Sequence, residues 1–241
     1  MLILQSELPV SLIRKTFKRL HYPVEIIVQC VRGYFAYALS LRNLEEMMAE
    51  RGIEIDHSTL YRWVIRLTPL LDKAFHRRKR PTGQRWHMDE TYIKIKGQWK
   101  YLYRAVDTEG QTIDFLLTAK RDTAAAALRF FRKAIRHHAE PEGVTLDQSG
   151  ANTAALATLN AGKSEEETLT IRQSKYLNNL IEQDHRNTKR RIRPMLGFKS
   201  FRRAQTILAG IELVSMLRKG QYSQPEDKTL SPAEKFYRLA E

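Results

Sequence analysis

The stretch RWHMDETYIKIKGQWKYLYRAVDTEGQTIDFLLT, residues 85–118, is the most informative part of the chain about the fold, because it contains three β-rich runs. Two turn signals separate the runs, Lys96-Gly97-Gln98 and Asp107-Thr108-Glu109-Gly110. Short turns of this kind join neighbouring antiparallel strands. We therefore expect a meander of three strands over residues 86–95, 99–106 and 112–118.

Helices and strands alternate after this meander. The patterns predict, in order, a helix at 123–138, a strand at 144–146, a helix near 153–159, a strand around 169–171 and long helices at 176–191 and 201–219. A capping-box pattern, Ser231-Pro232-Ala233-Glu234, predicts a short helix near the C-terminus. This order indicates an α/β fold in which helices pack against a mixed sheet.

The preceding part of the chain has little strand character, and its apolar residues repeat at helical spacing over 24–39, 41–51 and 58–71. Two helices joined through Gly52 are typical of a helix-turn-helix module. The exposed face of its last helix would carry His57, Thr59, Arg62 and Arg66. This face either enters a DNA groove or is the solvated side of a small helical domain, and the pattern leaves both interpretations open.

A basic run follows these helices. It contains Arg77, Arg78, Lys79 and Arg80 and ends in Pro81-Thr82-Gly83, which is typical of a linker. Such a run would lie along phosphates if DNA is bound, or serve as a solvated hinge.

The charge of the whole chain favours a polyanionic partner. Lysine and arginine number 41 against 27 acidic residues, so the formal net charge is +14 and nucleic acid is the leading candidate. No apolar stretch reaches the roughly 18 residues of a membrane span, so we expect no membrane partner and a cytoplasmic location. The single cysteine, Cys30, excludes an internal disulfide.

Three acidic residues stand where strands and helices would bring them to one site. Asp89 lies in the first β-run, Asp147 closes the next buried strand, and Glu182 lies on the long polar helix that follows. Carboxylates brought together repel each other, which raises their pKa values unless a cation compensates. A hard cation such as magnesium would suit oxygen ligands, and two such ions support phosphodiester chemistry. His185, Arg186 and Lys189 follow Glu182 at spacings of three, four and seven residues, so we expect them on its exposed polar face. Lys189 would reach a phosphate of the bound strand.

Several motifs in order resemble those of a known family. They are His87-Met88-Asp89-Glu90-Thr91-Tyr92, residues 101–107, Asp147, residues 177–186 and residues 193–201, and thirty-four residues separate Asp147 from Glu182. In these motifs and in this spacing the chain resembles the DDE transposases of bacterial insertion sequences, and within them the insertion-sequence-six family.

The resemblance implies an RNase H-like catalytic fold preceded by an all-α helix-turn-helix domain. It implies that Asp89, Asp147 and Glu182 bind two Mg²⁺ ions, with Mn²⁺ as a substitute, and that Lys189 is the family's basic residue after the glutamate. It further implies nicking of the 3′ ends of an element and their joining to target DNA, with a replicative outcome that gives a cointegrate. The partners would be double-stranded DNA, both terminal inverted repeats and target, and a second copy of the chain in a homodimer at the bacterial nucleoid.

On this basis we expect a helical region over 1–76, a linker over 77–84, a catalytic domain over 85–220 and a tail over 221–241. Two alternatives remain open. One is a DNA-binding protein without catalysis, against which the complete set of acidic residues argues. The other is a nuclease that only hydrolyses, against which the helix-turn-helix and the basic run argue.

Overall fold

The computed structural model describes residues 21–119, 123–147, 150–173, 179–195, 197–223 and 230–240. These residues form two compact units. The helical unit contains the described residues up to 80, those of 191–196 and those from 202 onward. The sheet unit contains the described residues of 81–190 and 197–201.

The helical unit begins with α1 (Val24–Ala36), α2 (Leu41–Ala49) and α3 (His57–His76). Helix α1 ends three residues before the predicted position because Ser40 must leave the helical conformation to cap α2. The Ser40 hydroxyl accepts a hydrogen bond from the backbone N–H of Asn43, and the Asn43 side chain accepts one from the backbone N–H of Ser40.

A tight turn joins α2 to α3, as the helix-turn-helix prediction requires. Gly52 has φ +72°, a conformation that favours glycine, and its N–H donates to the carbonyl of Ala49. The N–H of Ile53 donates to the carbonyl of Met48, which completes a Schellman ending. The Asp56 carboxylate then accepts from the N–H of Ser58 at 2.8 Å and caps the new helix.

Helix α3 continues past the predicted end at residue 71. Leu71 and Phe75 extend its buried face, and Phe75 is fully buried. Pro69 lies on the exposed side, and the neighbouring Thr68 hydroxyl donates to the carbonyl of Val64 at 2.6 Å. Burial of the apolar face therefore outweighs the break that a proline would favour.

Five strands form the sheet, as β1 (Arg85–Ile95), β2 (Gln98–Asp107), β3 (Thr112–Thr118), β4 (Gly143–Leu146) and β5 (Thr170–Gln173). Their order is β3-β2-β1-β4-β5. The first three strands are antiparallel, whereas β4 pairs parallel with β1 and with β5. The helices of the unit are α4 (Thr123–His138), α5 (Gly150–Asn160) and α6 (Asn179–Ile192). This is the RNase H-like arrangement, and the predicted fold class is confirmed.

One face of the sheet is covered by α4 and α5. Apolar residues of the first strands meet two helical phenylalanines there, and the centre of this core consists of Trp86, Met88, Tyr103, Ala105, Phe130 and Phe131. The core fixes the register of β1, since alternate residues of that strand must face it. Asp89 therefore lies on the opposite face.

The last two helices, α7 (Phe201–Arg218) and α8 (Pro232–Leu239), belong to the helical unit. Helix α7 packs against α1: the Phe35 ring occupies the place of a side chain at Gly210, where a Cβ atom would clash with the ring. The expected bounds of the catalytic domain, 85–220, stay a prediction. The Arg218 guanidinium also donates to the carbonyl of Ala36 at 2.7 Å. The predicted capping box at the start of α8 is confirmed.

The basic run after α3 is held by the segment that follows α7. The N–H of Arg80 donates to the carbonyl of Gln221, and the N–H of Ser223 donates to the carbonyl of Arg78, both at 2.9 Å. The Tyr222 ring is buried and stacks on Phe75. Residues 78–80 are thus a paired backbone segment, which differs from the solvated hinge considered for this linker. No helix in the described part of the chain is long and apolar enough to cross a bilayer.

Candidate active site

Parallel pairing of β1 and β4 brings two of the predicted acidic residues side by side. Trp86 is aligned with Val144 and His87 with Thr145. Two residues further along each chain stand Asp89 and Asp147. Both carboxylates therefore leave adjacent strands at the same level of the sheet, where open sheets place their ligands.

The electrostatics of Asp89 show that Glu182 belongs to the same cluster. The pKa of Asp89 is raised to about 6, chiefly by burial, and the carboxylates of Asp147, Glu90 and Glu182 contribute to this increase. The N–H of Glu90 donates to Asp89 Oδ1 at 2.8 Å and opposes this change. The raised pKa agrees with the mutual repulsion inferred from the sequence, although burial is the larger cause.

The residues of this cluster fit a hard divalent cation. Asp147 Oδ1 is buried, and no residue in the described part of the chain gives it a hydrogen bond. A buried carboxylate oxygen without a donor beside two further carboxylates is the chemistry that Mg²⁺ compensates. Asp89, Asp147 and Glu182 would hold the ion, and Glu182 lies exposed in the first turn of α6.

A tighter group of potential ligands lies elsewhere. Within the described ranges, the ligand atoms of Glu45, Asp56 and His57 all come within 4.8 Å of one another. His57 Nδ1 is 3.1 Å from Glu45 and 3.3 Å from Asp56, so opposite charges account for the compactness when the imidazole is protonated. The ligand atoms of Asp89, Asp147 and Glu182 do not all come within 4.8 Å of one another.

A buried ion pair lies beside the acidic cluster. Arg104 stands directly opposite Asp89 in the β1–β2 register, and its side chain is 1% exposed. Its guanidinium donates to Asp184 Oδ2 on α6 at 2.8 Å. This contact ties α6 to the sheet and places a permanent positive charge next to the carboxylates.

His185 occupies a different position from the one expected. The sequence analysis placed it on the exposed face with Glu182, but its side chain is 7% exposed and its Nδ1 lies 3.5 Å from Asp89 Oδ2. Burial is the main cause that lowers its pKa to about 3, and the charges of Arg104 and Lys189 add to this effect. The imidazole is therefore neutral at pH 7.

Sequence reasoning gave no role to Arg104, Asp184 and His185. The signal was present in the spacing of α6, because its inward residues recur at helical intervals as Ile181, Asp184, His185 and Thr188. Three of these four are polar, so an apolar template could not recognise the buried face.

The predicted DNA contacts on α6 are open to solvent. Arg186 and Lys189 are both exposed. The ammonium of Lys189 also contributes to the lowered pKa of His185, so its charge acts within the acidic site.

The predicted contacts in the helical unit form two groups. On α3, Arg62 and Arg66 are exposed, Thr59 and His57 are half-buried, and the Arg62 guanidinium donates to Thr59 Oγ1 at 2.7 Å. In the basic run, the exposed side chains are those of Arg77, Arg78 and Arg80, whereas Lys79 is half-buried.

Comparison with known proteins identifies the class to which this fold and site belong. A family profile described as a DDE domain matches residues 83–221. A second profile, described as the transposase IS66 family, matches residues 20–136.

Curated relatives extend the match to most of the chain. The chain is 39% identical over 204 residues to the transposase for insertion sequence-like element IS431mec of Staphylococcus aureus strain Mu50, covering 84% of this chain and 88% of the relative. The same values hold for the S. aureus transposase of insertion sequence element IS257 in transposon Tn4003. Among solved structures, the simian T-cell lymphotropic virus intasome with PP2A regulatory subunit B56 gamma matches with a TM-score of 0.43 and 15% identity, covering 66% of this chain and 56% of that chain.

The chain belongs to the DDE transposases of insertion sequences. This confirms the family resemblance, and the relatives are consistent with its narrower insertion-sequence-six form.

Proposed function

We propose that this transposase binds the terminal inverted repeats of its insertion sequence, nicks their 3′ ends and joins those ends to target DNA. The observation that carries the proposal is the convergence of Asp147 and Glu182 on the half-buried Asp89 of the central strand of the sheet. The relatives' names support insertion-sequence DNA as the substrate.

Asp89, Asp147 and Glu182 are the proposed ligands of two Mg²⁺ ions, for which Mn²⁺ would substitute. Bound there, the ions would supply activation of the attacking water or hydroxyl and stabilisation of the leaving oxygen. The chain's own residues complete the site. Arg104 offsets the local negative charge, and the neutral His185 lies against Asp89 without adding a charge.

The DNA-binding residues have separate proposed tasks. Arg186 and Lys189 contact phosphates of the strand in the active site, since both are exposed on the helix that carries Glu182. His57, Thr59, Arg62 and Arg66 enter a groove of the terminal repeat. The basic run, which contains Arg77, Arg78, Lys79 and Arg80, follows the phosphate backbone.

We further propose that two copies of the chain act together, because a transposase must hold two element ends at once. The proposed outcome is replicative and gives a cointegrate.

The test is cleavage and joining of DNA that carries the native element ends, with Mg²⁺ or Mn²⁺, by the wild type, Asp89→Asn and Glu182→Gln. We expect only the wild type to nick and join DNA. Glu182→Gln should still bind the ends, because a substitution at this exposed position on α6 does not alter α3, the proposed DNA-reading helix. Binding is measured by gel shift with the same DNA.

Each alternative predicts a different result. A hydrolytic nuclease would cut but never join. A binding protein without catalysis would show no reaction in any variant on the native ends. Equal activity in all three proteins would refute the site.

A further inference from the structure

The tip of the β1–β2 hairpin, residues 92–101, exposes aromatic surface. Across the described ranges three large apolar side chains are exposed, and two of them, Tyr92 and Trp99, belong to this tip. Trp99 is 61% exposed, whereas Trp63 and Trp86 are buried at 5% and 1%. An indole held in solvent on a structured strand contributes nothing to the core.

The tip is also positively charged. Residues 91–103 contain the lysines Lys94, Lys96 and Lys100 and no acidic residue. Lys94 is the cross-strand partner of Trp99, and its ammonium lies 5.7 Å from the centroid of the indole ring. Tyr92 and Tyr101 are the next pair on the same face, with ring centroids 5.3 Å apart. Ammonium groups and aromatic rings thus form one continuous strip.

The hairpin holds this strip in a fixed geometry. Lys96 and Gly97 both have positive φ, +49° and +76°, which is the two-residue turn that matches the strand twist. The N–H of Lys96 donates to the carbonyl of Phe198 at 2.8 Å, and Phe198 is buried. Asparagine or glycine would suit this left-handed position better than lysine, so a charge stands at the tip at a conformational cost.

We propose that the hairpin tip binds an unpaired nucleotide of the DNA substrate, with the base stacked on Trp99 and its phosphates beside Lys94 and Lys96. Aromatic rings combined with cations are the chemistry that binds single-stranded nucleic acid, because every base offers a flat π-face. A base pair in a continuous duplex hides those faces. The tip therefore selects DNA with an unpaired flank next to the element end. The inference rests on the proposed function, because a nick at the element end leaves the flanking strand free to unpair.

The experiment compares two labelled DNAs carrying one element end, of which one has a fully paired flank and the other an unpaired flank. Binding is measured by fluorescence anisotropy with the Asp89→Asn protein, which leaves the DNA intact. We expect tighter binding of the unpaired flank, and we expect Trp99→Ala to lower that affinity about 10-fold while leaving duplex affinity unchanged. Trp99→Phe retains an aromatic face and should keep most of the preference.

Two further variants sharpen the test. Lys96→Asn keeps a residue suited to the left-handed turn but removes the charge, so it should weaken binding of the unpaired flank and reduce the salt dependence. Tyr37→Ala removes the third exposed aromatic, which lies in the helical unit, and should leave the preference unchanged.

Equal loss of affinity for both DNAs in Trp99→Ala would overturn the proposal. So would a change from dimer to monomer in Trp99→Ala with the DNA preference intact, because the tip would then contact a second copy. If the wild type cuts and joins DNA but the Asp89→Asn protein binds the paired and unpaired flanks equally well, the hairpin proposal alone is overturned. Retained preference without any cutting or joining overturns the proposed function.

Discussion

Helices α3 and α6 differ in what holds them to the rest of the molecule. The buried face of α3 is apolar apart from Thr68, and it consists of Leu60, Trp63, Val64, Leu67, Leu71 and Phe75. The buried face of α6 has one apolar residue, Ile181, beside Asp184, His185 and Thr188. Apolar packing is non-directional, whereas α6 depends on polar contacts with defined geometry.

The difference has a consequence for the site. The contacts that hold α6, chiefly the Arg104–Asp184 pair, also set the charge around Asp89. The position of Glu182 and the electrostatics of the cluster are therefore coupled, while α3 can change its exposed residues without altering its packing. Four predictions test this contrast, in decreasing order of effect.

Arg104→Leu should destabilise the protein by about 3–5 kcal/mol, because Asp184 would remain buried without its counter-charge. Leu67→Ala on α3 should cost a similar amount, about 2–5 kcal/mol, by leaving a cavity. Urea unfolding measures both.

A double variant separates the two mechanisms. Arg104→Leu with Asp184→Leu should recover most of the lost stability, since no charge is then left unpaired. A double variant as unstable as the single one would show that α6 is held by packing, like α3.

Asp89→Asn should stabilise the metal-free protein above pH 6. Because the pKa of Asp89 is raised from 3.8 to about 6, the folded protein binds this proton more tightly than the unfolded chain does, so the stability of the wild type falls as pH rises through that window. The amide does not ionise, and the variant should gain up to about 3 kcal/mol above pH 6 and nothing below pH 4. Thermal unfolding in a chelator across pH 3–8 measures the difference, and a constant gain at every pH would contradict it.

Arg62→Ala should weaken binding to the element ends about 10-fold and change binding to random DNA little, because the proposed contact of this exposed arginine is with base edges. Competition gel shifts measure the ratio of the affinity for the element ends to the affinity for random DNA. Arg186→Ala on α6 is the control and should weaken both equally, and equal loss with Arg62→Ala would make that residue a phosphate contact.

Gly52→Ala should cost about 1 kcal/mol, because the side chain has open space but the backbone must keep φ +72°. Gly52→Asn should cost less, since asparagine tolerates this conformation. Chemical denaturation measures the free energy of unfolding of both variants. If Gly52→Ala loses no stability, the turn has relaxed to a conformation that alanine tolerates.

Periodicity was sufficient to predict the strands β1 to β3 and the helices of the helical unit, because each has an apolar face of regular spacing. It failed at helix ends, where a cap such as Ser40 or an added turn such as the one ending at Phe75 decides the boundary. It also failed for His185, which is buried by a tertiary contact, because the spacing of polar residues along a helix does not distinguish buried polar residues from exposed ones.

Order, spacing and residue type were enough to predict the fold class and the family, and the acidic site residues stay a prediction. Tertiary contacts were needed to reveal that Arg104 and Asp184 form a buried pair beside Asp89 and that α7 packs with the helical unit. The physical reason is that these contacts join residues distant in the chain, and their energies depend on burial and local dielectric rather than on neighbouring letters.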